Sequence, residues 1–179
     1  MRNGCWNIPA PRRTTGEVSE AFPNLLTPSG YAFSIWGLIY ILLGVMVIKI
    51  LTLGPEVLSD PSLRIFLYAF IISCALNAGW LLAWHALRPG LALVVMLALL
   101  FSLALAWFQA PELLMLKLPF SLYLGWISVA TLLNVTIVLS LSGASDIVLS
   151  KYFTVGMLLV GTLAALGVLV IRGDVPYAL

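Results

Sequence analysis

Charged side chains are scarce in this 179-residue sequence, since Asp, Glu, Lys and Arg together make up only 9% of it. Soluble domains carry about 25% charged residues. Hydrophobic residues reach 62%. A chain with so few charges cannot cover a water-facing surface, which excludes a soluble globular domain and indicates an integral membrane protein. The net charge of +2 is too small and too scattered to form a nucleic-acid-binding surface.

Residue types that carry metal or acid–base chemistry are equally few. The two cysteines lie in different surroundings, Cys5 in a polar leader and Cys74 in an apolar run, so we expect no disulfide between them. His85 is the single histidine, and no Cys/His/Asp cluster has the spacing of a metal site. No acidic residue lies inside an apolar run, so hydrolysis and proton-coupled transport lack their ionisable groups. We therefore predict no catalytic residue, no metal and no required cofactor.

Long apolar runs are abundant. A helix needs about 20 mostly apolar residues to cross the hydrocarbon core. The runs that meet this length are 32–53, 62–86, 91–109, 118–141, with Pro119 in its first turn, and 151–171. They predict an all-α integral membrane protein with a bundle of about five transmembrane helices over residues 32–172. A polar segment and a lid-like loop occupy residues 1–31, and a tail follows at 173–179.

The two ends of the sequence resemble interrupted membrane segments. The leader lacks the continuous apolar stretch of a signal peptide, and the closing "DVPYAL" begins a new apolar stretch. We expect a flanking helix to be missing at each end. Lys and Arg divide almost evenly between the two sides, so the positive-inside rule gives no orientation. Small residues at Gly156, Gly161 and Ala165 indicate close helix contact, within one chain or in a homodimer.

Aromatic and amide side chains recur at helical spacing on three of the five runs. Residues three and four apart share one helix face. The stripes are Phe33, Trp36 and Tyr40 on the first run, Asn77, Trp80 and Trp84 on the second, and Tyr123, Trp126, Ala130 and Asn134 on the fourth. An aromatic belt at the membrane interface explains Trp84, Trp107 and Tyr152, which lie near helix ends. The deeper members fall roughly 6–16 Å inside the same side of the membrane, which predicts a common hollow.

Asn77 and Asn134 sharpen this prediction, because a carboxamide that faces lipid is costly and should face the bundle interior. One interpretation is an interhelical hydrogen bond, worth about 0.6 kcal/mol. The other is that both amides lie in a largely apolar cavity that suits a planar or polycyclic amphiphile. The loop "FPNLLTPSGY", which ends at Tyr31, would cover that cavity as a lid or as an ordinary interfacial loop.

Three motifs in the same order resemble one family. "TPSGYAFSIWGLIYILLG", "NAGWLLAW" and "YLGWISVATLLN" are similar to segments of the TspO/MBR family, the tryptophan-rich sensory or translocator proteins. The resemblance covers residues 14–141 and points to a longer bacterial branch, with the fifth run as an extension. The family's first transmembrane helix has no counterpart here, and Leu122 replaces a common proline. No sterol-recognition pattern follows Asn134.

The resemblance implies a bundle that binds porphyrins or sterol-like molecules beneath the loop before its second helix. Together with the stripes, it predicts the ligand-binding residues Tyr31, Phe33, Trp36, Tyr40, Asn77, Trp80, Trp84, Tyr123, Trp126, Ala130 and Asn134. The expected partners are membrane lipid and a hydrophobic ligand such as a bound tetrapyrrole, with a homodimer left open and no nucleic acid. The expected location is the bacterial cell membrane.

We therefore predict a non-enzymatic receptor or sensor for a planar hydrophobic ligand. Three alternatives stay open. One is a transporter that carries such ligands across the membrane, and a second is a light-dependent porphyrin-degrading enzyme, which rests on the resemblance alone. The third is a purely structural membrane subunit.

Overall fold

The computed structural model describes residues 14–20, 22, 25–26, 28–55, 59–111, 113–173 and 175–178. Over these ranges the chain is helical and contains no strand. Five of the described helices are long and apolar enough to cross a membrane. The prediction of an all-α bundle of about five transmembrane helices is confirmed, and the chain is a multi-pass integral membrane protein. Cys5 and the rest of residues 1–13 lie outside the described ranges.

Eight α-helices follow one another along the described chain. They are α1 Thr15–Glu20, α2 Ile35–Leu51, α3 Pro61–His85, α4 Pro89–Gln109, α5 Leu114–Leu139, α6 Ser145–Val148, α7 Lys151–Arg172 and α8 Val175–Ala178. A 3-10 turn at Gly30–Ser34 leads directly into α2, and a π-helical turn at Ser140–Ala144 joins α5 to α6. The spans α2, α3, α4, α5 and α7 form the membrane bundle.

Local capping explains where several of these helices begin and end. The Asp60 side chain accepts a hydrogen bond from the Ser62 backbone N–H at 2.8 Å, and Pro61 occupies the first position of α3. Ser150 caps α7 in the same way through the Phe153 N–H. Gly173 ends α7 with a φ of 63°, a left-handed conformation that glycine adopts without steric cost.

The fourth span is longer than the sequence indicated. α5 begins at Leu114 rather than at 118, so Pro119 lies inside the helix and not in its first turn. A proline inside a helix has no N–H to donate and its ring crowds the carbonyl four residues earlier, yet α5 continues on both sides of Pro119. At the other end the π-helical turn and Gly143, with a φ of 99°, carry the chain into α6. The span therefore continues to Val148.

The N-terminal segment, predicted as a polar stretch and a loop, contains a short helix. Glu17 and Thr14 form a reciprocal capping box at the start of α1, in which the Thr14 N–H donates to Glu17 Oε2 at 2.7 Å. The Glu17 N–H donates in turn to Thr14 Oγ1 at 3.2 Å. The spacing Thr-x-x-Glu is a signal in the sequence that could have predicted this helix. Val18 and Ser19 of α1 are fully buried.

α5 is the central helix of the bundle, because it packs against α2, α4, α7 and α8. The most extensive contact joins α3 to α4. A stripe of α4 with no exposed surface fills the interior, namely Ala92, Met96, Leu99, Leu103 and Ala106. These residues are spaced three and four apart, as expected for one buried helix face. α7 contacts α5, but no residue of the span Lys151–Val170 is buried. Most of the apolar surface of α7 therefore faces outward.

Hydrogen bonds between polar side chains and neighbouring helices tie the spans together. They are Asn77 Nδ2 to Tyr40 Oη at 3.0 Å, Ser102 Oγ to the Ala69 carbonyl at 2.7 Å, and Trp107 Nε1 to Ser121 Oγ at 3.1 Å. Each bond joins one pair of spans, α3 with α2, α4 with α3, and α4 with α5. Such bonds contribute about 0.6 kcal/mol on average in membrane bundles, so they select the arrangement more than they stabilise it.

The tail after residue 173 also has structure, since α8 folds back onto α5. Gly125 of α5 permits this contact, because a Cβ at that position would lie 2.5 Å from the Tyr177 carbonyl oxygen. The Ser128 and Tyr177 hydroxyls meet on the same side at 3.1 Å. The residue type at position 125 thus decides whether the chain end can pack on the bundle.

We predict that Gly125→Ala displaces α8 from α5, because the added methyl group overlaps backbone that has no alternative rotamer. The expected cost is about 1–3 kcal/mol, as for other overpacked sites. The measurements are thermal unfolding in detergent and the rate of carboxypeptidase digestion of the C-terminal residues. Gly156→Ala on α7 is the matched control, since no atom lies within 4 Å of its added Cβ. Equal behaviour of the two variants would contradict the assigned role of Gly125.

Candidate ligand-binding site

Trp36 lies among four other aromatic rings that belong to three helices. Its ring stacks on Tyr40 of α2 and on Trp80 of α3, with centroids 5.5 and 6.1 Å apart. Tyr123 and Trp126 of α5 meet it edge-on, at 5.7 and 6.4 Å. These are the offset-stacked and edge-to-face arrangements that aromatic pairs prefer. The predicted stripes on the three helices therefore do converge, and Trp36 is their centre.

A closed pocket lies on one side of Trp36, between the ends of α2, α3 and α5. Its volume is only ≈ 20 Å³, room for about one water molecule. The residues that line it are Thr15, Pro28, Phe33, Trp36, Trp80, Trp84, Trp126, Val129, Ala130, Leu133 and Asn134. The rings themselves fill most of the space between the helices, so in this state the hollow is nearly absent.

Three buried hydrogen-bonding atoms of this pocket have no partner among the described residues. They are the indole Nε1 atoms of Trp80 and Trp126 and the amide Oδ1 of Asn134. The Asn134 amide uses its nitrogen within its own helix, where Nδ2 donates to the Ala130 carbonyl at 2.8 Å. A buried polar group without a partner costs about 1–3 kcal/mol. The pocket therefore contains two unpaired donors and one unpaired acceptor among apolar rings.

The prediction of a single common hollow is wrong. Tyr40, Asn77 and Tyr123 line a different cavity of ≈ 310 Å³, between α2 and α3 on the far side of Trp36. There the Asn77 amide N–H of α3 donates to the Tyr40 hydroxyl of α2. Of the two interpretations given for the asparagines, the interhelical hydrogen bond therefore applies to Asn77. Helical spacing put all three stripes at one depth, but Asn77 and Asn134 line different cavities, and Trp36 lines only the one that contains Asn134.

α1 and the chain that follows it cover the closed pocket. Trp84 Nε1 donates to the Thr15 carbonyl at 3.2 Å, which fixes α1 on the end of α3. The rings of Phe22 and Trp84 lie 6.0 Å apart. Beneath this cover a larger groove of ≈ 570 Å³ extends between α1, α2 and α3, and Phe33 and Trp36 separate it from the closed pocket. Of the loop that precedes α2, Pro28 lines the closed pocket.

Some aromatic residues lie where the sequence did not predict them. Tyr31 is 83% exposed and lies outside the aromatic cluster, so it lines neither cavity described above. Trp84 is only 2% exposed and Trp107 is also buried, which contradicts their interpretation as interface-belt residues. Both indoles instead donate to groups within the protein, at Thr15 and Ser121. Their positions near helix ends had indicated an interface belt. In the structure α1 packs against Trp84 and α5 against Trp107, so neither ring faces the membrane interface.

Sequence reasoning missed four residues that line the closed pocket, namely Thr15, Pro28, Val129 and Leu133. Val129 lies three residues after Trp126 and Leu133 three residues after Ala130, so helical spacing could have found them. Thr15 and Pro28 belong to the cover, whose position depends on tertiary contacts with α3.

Five membrane spans, three of which surround a pocket of tryptophan rings and unpaired polar atoms, define a multi-pass helical membrane protein. Comparison with known proteins matches residues 2–179 to one family, described as TSPO-like protein. Because the match extends over nearly the whole chain, the protein belongs to the TSPO-like family and is a membrane protein of the sensory or translocator type. No curated protein and no solved structure matches the chain.

We predict that Trp84→Phe weakens the attachment of α1 to α3 and leaves the packing of the membrane spans unchanged. The substitution keeps an aromatic ring beside Phe22 but removes the hydrogen bond to Thr15, a loss of about 0.5–1.5 kcal/mol. Amide hydrogen exchange of residues 15–20 should accelerate about two- to tenfold. Trp107→Phe is the matched control, because it also removes one indole hydrogen bond but lies away from α1. Equal protection of residues 15–20 in both variants would show that this bond does not hold α1.

Proposed function

We propose that this protein is a non-enzymatic membrane receptor or sensor that binds a planar, ring-bearing ligand of tetrapyrrole type in the closed pocket. The observation that carries the proposal is the set of three unpaired buried atoms at Trp80, Trp126 and Asn134. A tetrapyrrole has ring N–H donors and carbonyl or carboxylate acceptors on one flat framework. It could therefore accept from the two indoles and donate to the amide oxygen while its ring faces stack on tryptophan.

The small volume of the pocket requires that binding opens it. A drug-sized ligand needs about 300–1,000 Å³, far more than the ≈ 20 Å³ present. Phe33 and Trp36 are the walls shared with the ≈ 570 Å³ groove beneath α1, so movement of these two rings would join the spaces. The ligand then replaces ring–ring contacts with ring–ligand contacts. In a sensor, the displacement of the rings and of α1 would be the signal.

The lining of the pocket favours binding over catalysis. None of the described residues that line it is ionisable, so the pocket itself supplies no general acid or base. A carrier would use the same residues but would also have to open toward the opposite side of the membrane. Ligand flux into proteoliposomes separates a carrier from a sensor. We propose the bacterial cell membrane as the location.

We predict that purified protein in detergent quenches its tryptophan fluorescence on titration with protoporphyrin, and that Trp36→Ala with Trp126→Ala weakens the affinity at least tenfold. Two rings that contact each other and line the pocket are lost together. The double variant is compared with Phe108→Ala, whose exposed side chain lies away from this pocket. Unchanged affinity in the double variant would refute this binding site.

A matched pair of amide variants tests which of the two cavities, that of Asn134 or that of Asn77, binds the ligand. We expect Asn134→Leu to weaken protoporphyrin binding about three- to tenfold, since one buried hydrogen bond contributes about 0.5–1.5 kcal/mol. Asn77→Leu should change it less than twofold, because Asn77 lines the other cavity, where its Nδ2 bonds to Tyr40 and its unpaired Oδ1 is away from the closed pocket. A larger effect at Asn77 than at Asn134 would move the site to the cavity between α2 and α3.

A further inference from the structure

α7 is attached to the bundle less firmly than the other membrane spans. No residue of its span Lys151–Val170 is buried, whereas each of the other four spans has buried residues. Where α7 faces α4 and α5 it presents the small residues Gly161, Ala164 and Ala165. Side chains this short do not interlock with facing helices as larger knobs do. The position of α7 therefore depends mainly on what holds its two ends.

The end of α7 next to α6 is fixed in place and follows a short hinge. Val148 of α6 is buried and anchors this part of the chain. Only Leu149 and Ser150 separate α6 from α7, and neither belongs to a helix. Hinges are typically a few residues at the ends of elements, where they absorb changes in φ and ψ. α7 can therefore tilt about these two residues while α6 keeps its place.

The opposite end of α7 is held by α8, which packs against both α5 and α7. The backbone of Tyr177 lies against Gly125, where no side chain keeps it away. The Ser128 hydroxyl donates its hydrogen to the Leu124 carbonyl at 2.8 Å, so it accepts from the Tyr177 hydroxyl at 3.1 Å. The contacts of this one short helix keep the far end of α7 beside α5.

A cavity of ≈ 650 Å³ lies between α7 and α8 on one side and α4 and α5 on the other. Trp126 and Val129 line this cavity and also line the closed pocket, so the two spaces share a wall. α1 covers the closed pocket elsewhere, where Trp84 donates to the Thr15 carbonyl. A hydrophobic ligand concentrates in the bilayer, so a path past α7 leads to the shared wall without crossing that cover.

We infer that α7 is a gate, hinged at Leu149 and Ser150 and held closed by α8, through which a hydrophobic ligand passes from the bilayer toward the closed pocket. The path of the ligand rests on the proposed function, whereas the movement of α7 does not. When α8 releases α5, α7 tilts and its far end moves most. For its 22 residues, about 33 Å of helix, a tilt of about 10° moves the far end by about 6 Å and a point near the hinge by about 1 Å.

Double electron–electron resonance on two nitroxide pairs in phosphatidylcholine nanodiscs tests the movement, with both native cysteines replaced by serine. Leu105 of α4 with Val170 of α7 reports the far end, and Val94 of α4 with Val155 of α7 reports the end near the hinge. All four side chains are exposed and none lines the cavity. We expect Gly125→Ala, which displaces α8, to lengthen the far-end distance by about 5 Å and to change the hinge-end distance by less than about 2 Å.

A second variant and a control make the distances decisive. Ser128→Ala combined with Tyr177→Phe removes both hydroxyls without adding volume, and we expect the same pattern from it, so a misfolded Gly125→Ala protein does not determine the result. Gly156→Ala is the control, since it lies on α7 and no atom is within 4 Å of its added Cβ. An unchanged far-end distance in both variants that release α8, or an equal change in both distances, would overturn the gate.

The rate at which protoporphyrin associates with the protein in the same nanodiscs tests the path. We expect both variants that release α8 to bind it about threefold faster or more than Gly156→Ala, since a required conformational change slows association. Equal association rates in proteins whose far end has opened would overturn the gate as a ligand path. If protoporphyrin does not bind even the unmodified protein, the proposed function fails, and the two distances still decide whether α7 moves as a gate.

Discussion

The ring of Trp36 is the contact on which the arrangement of α2 depends. Ile39, Leu43 and Met46 are the buried residues of α2, and the partly buried ring of Trp36 adds contacts with α3 and α5. Each favourable ring pair contributes about 0.5–1.5 kcal/mol beyond burial, and three of the four pairs that Trp36 makes join α2 to another helix. The same contacts close the pocket, so a ligand that enters competes with the packing that holds α2 in place.

Hydrogen bonding divides the buried polar groups into two kinds. Ser102, Trp107 and Tyr40 meet partners on neighbouring helices, and these bonds fix which helices are adjacent. Among the described residues, three of the five unpaired buried atoms belong to Trp80, Trp126 and Asn134, and the other two are Ser19 Oγ and Asn77 Oδ1. In a membrane a buried polar group without a protein partner cannot form a hydrogen bond to water instead. The three unpaired atoms that line one pocket are the observation that supports the proposed ligand site.

Much of the fold and part of the site followed from the sequence. The five spans followed from apolar runs of the required length. The hydrocarbon thickness sets the minimum length of a span, and few charged residues can lie within it. Helical spacing correctly brought Trp36, Trp80 and Trp126 together. It could not show that Asn77 and Asn134 would line different cavities, since packing and not spacing determines side-chain volume and rotamer. Nor could it place Tyr31, whose direction depends on the 3-10 turn before α2.

The sequence by itself determined that this chain lies in a membrane, crosses it with about five helices and presents aromatic and amide groups on three of them. Composition and periodicity are local properties, and they suffice for those conclusions. Only the tertiary structure decided that the hollow is divided and closed, that α1 covers it and that α7 and α8 enclose a second cavity. Those features depend on which side chains meet across 49 to 69 residues of chain, as Ser128 does with α8 and Trp84 with α1.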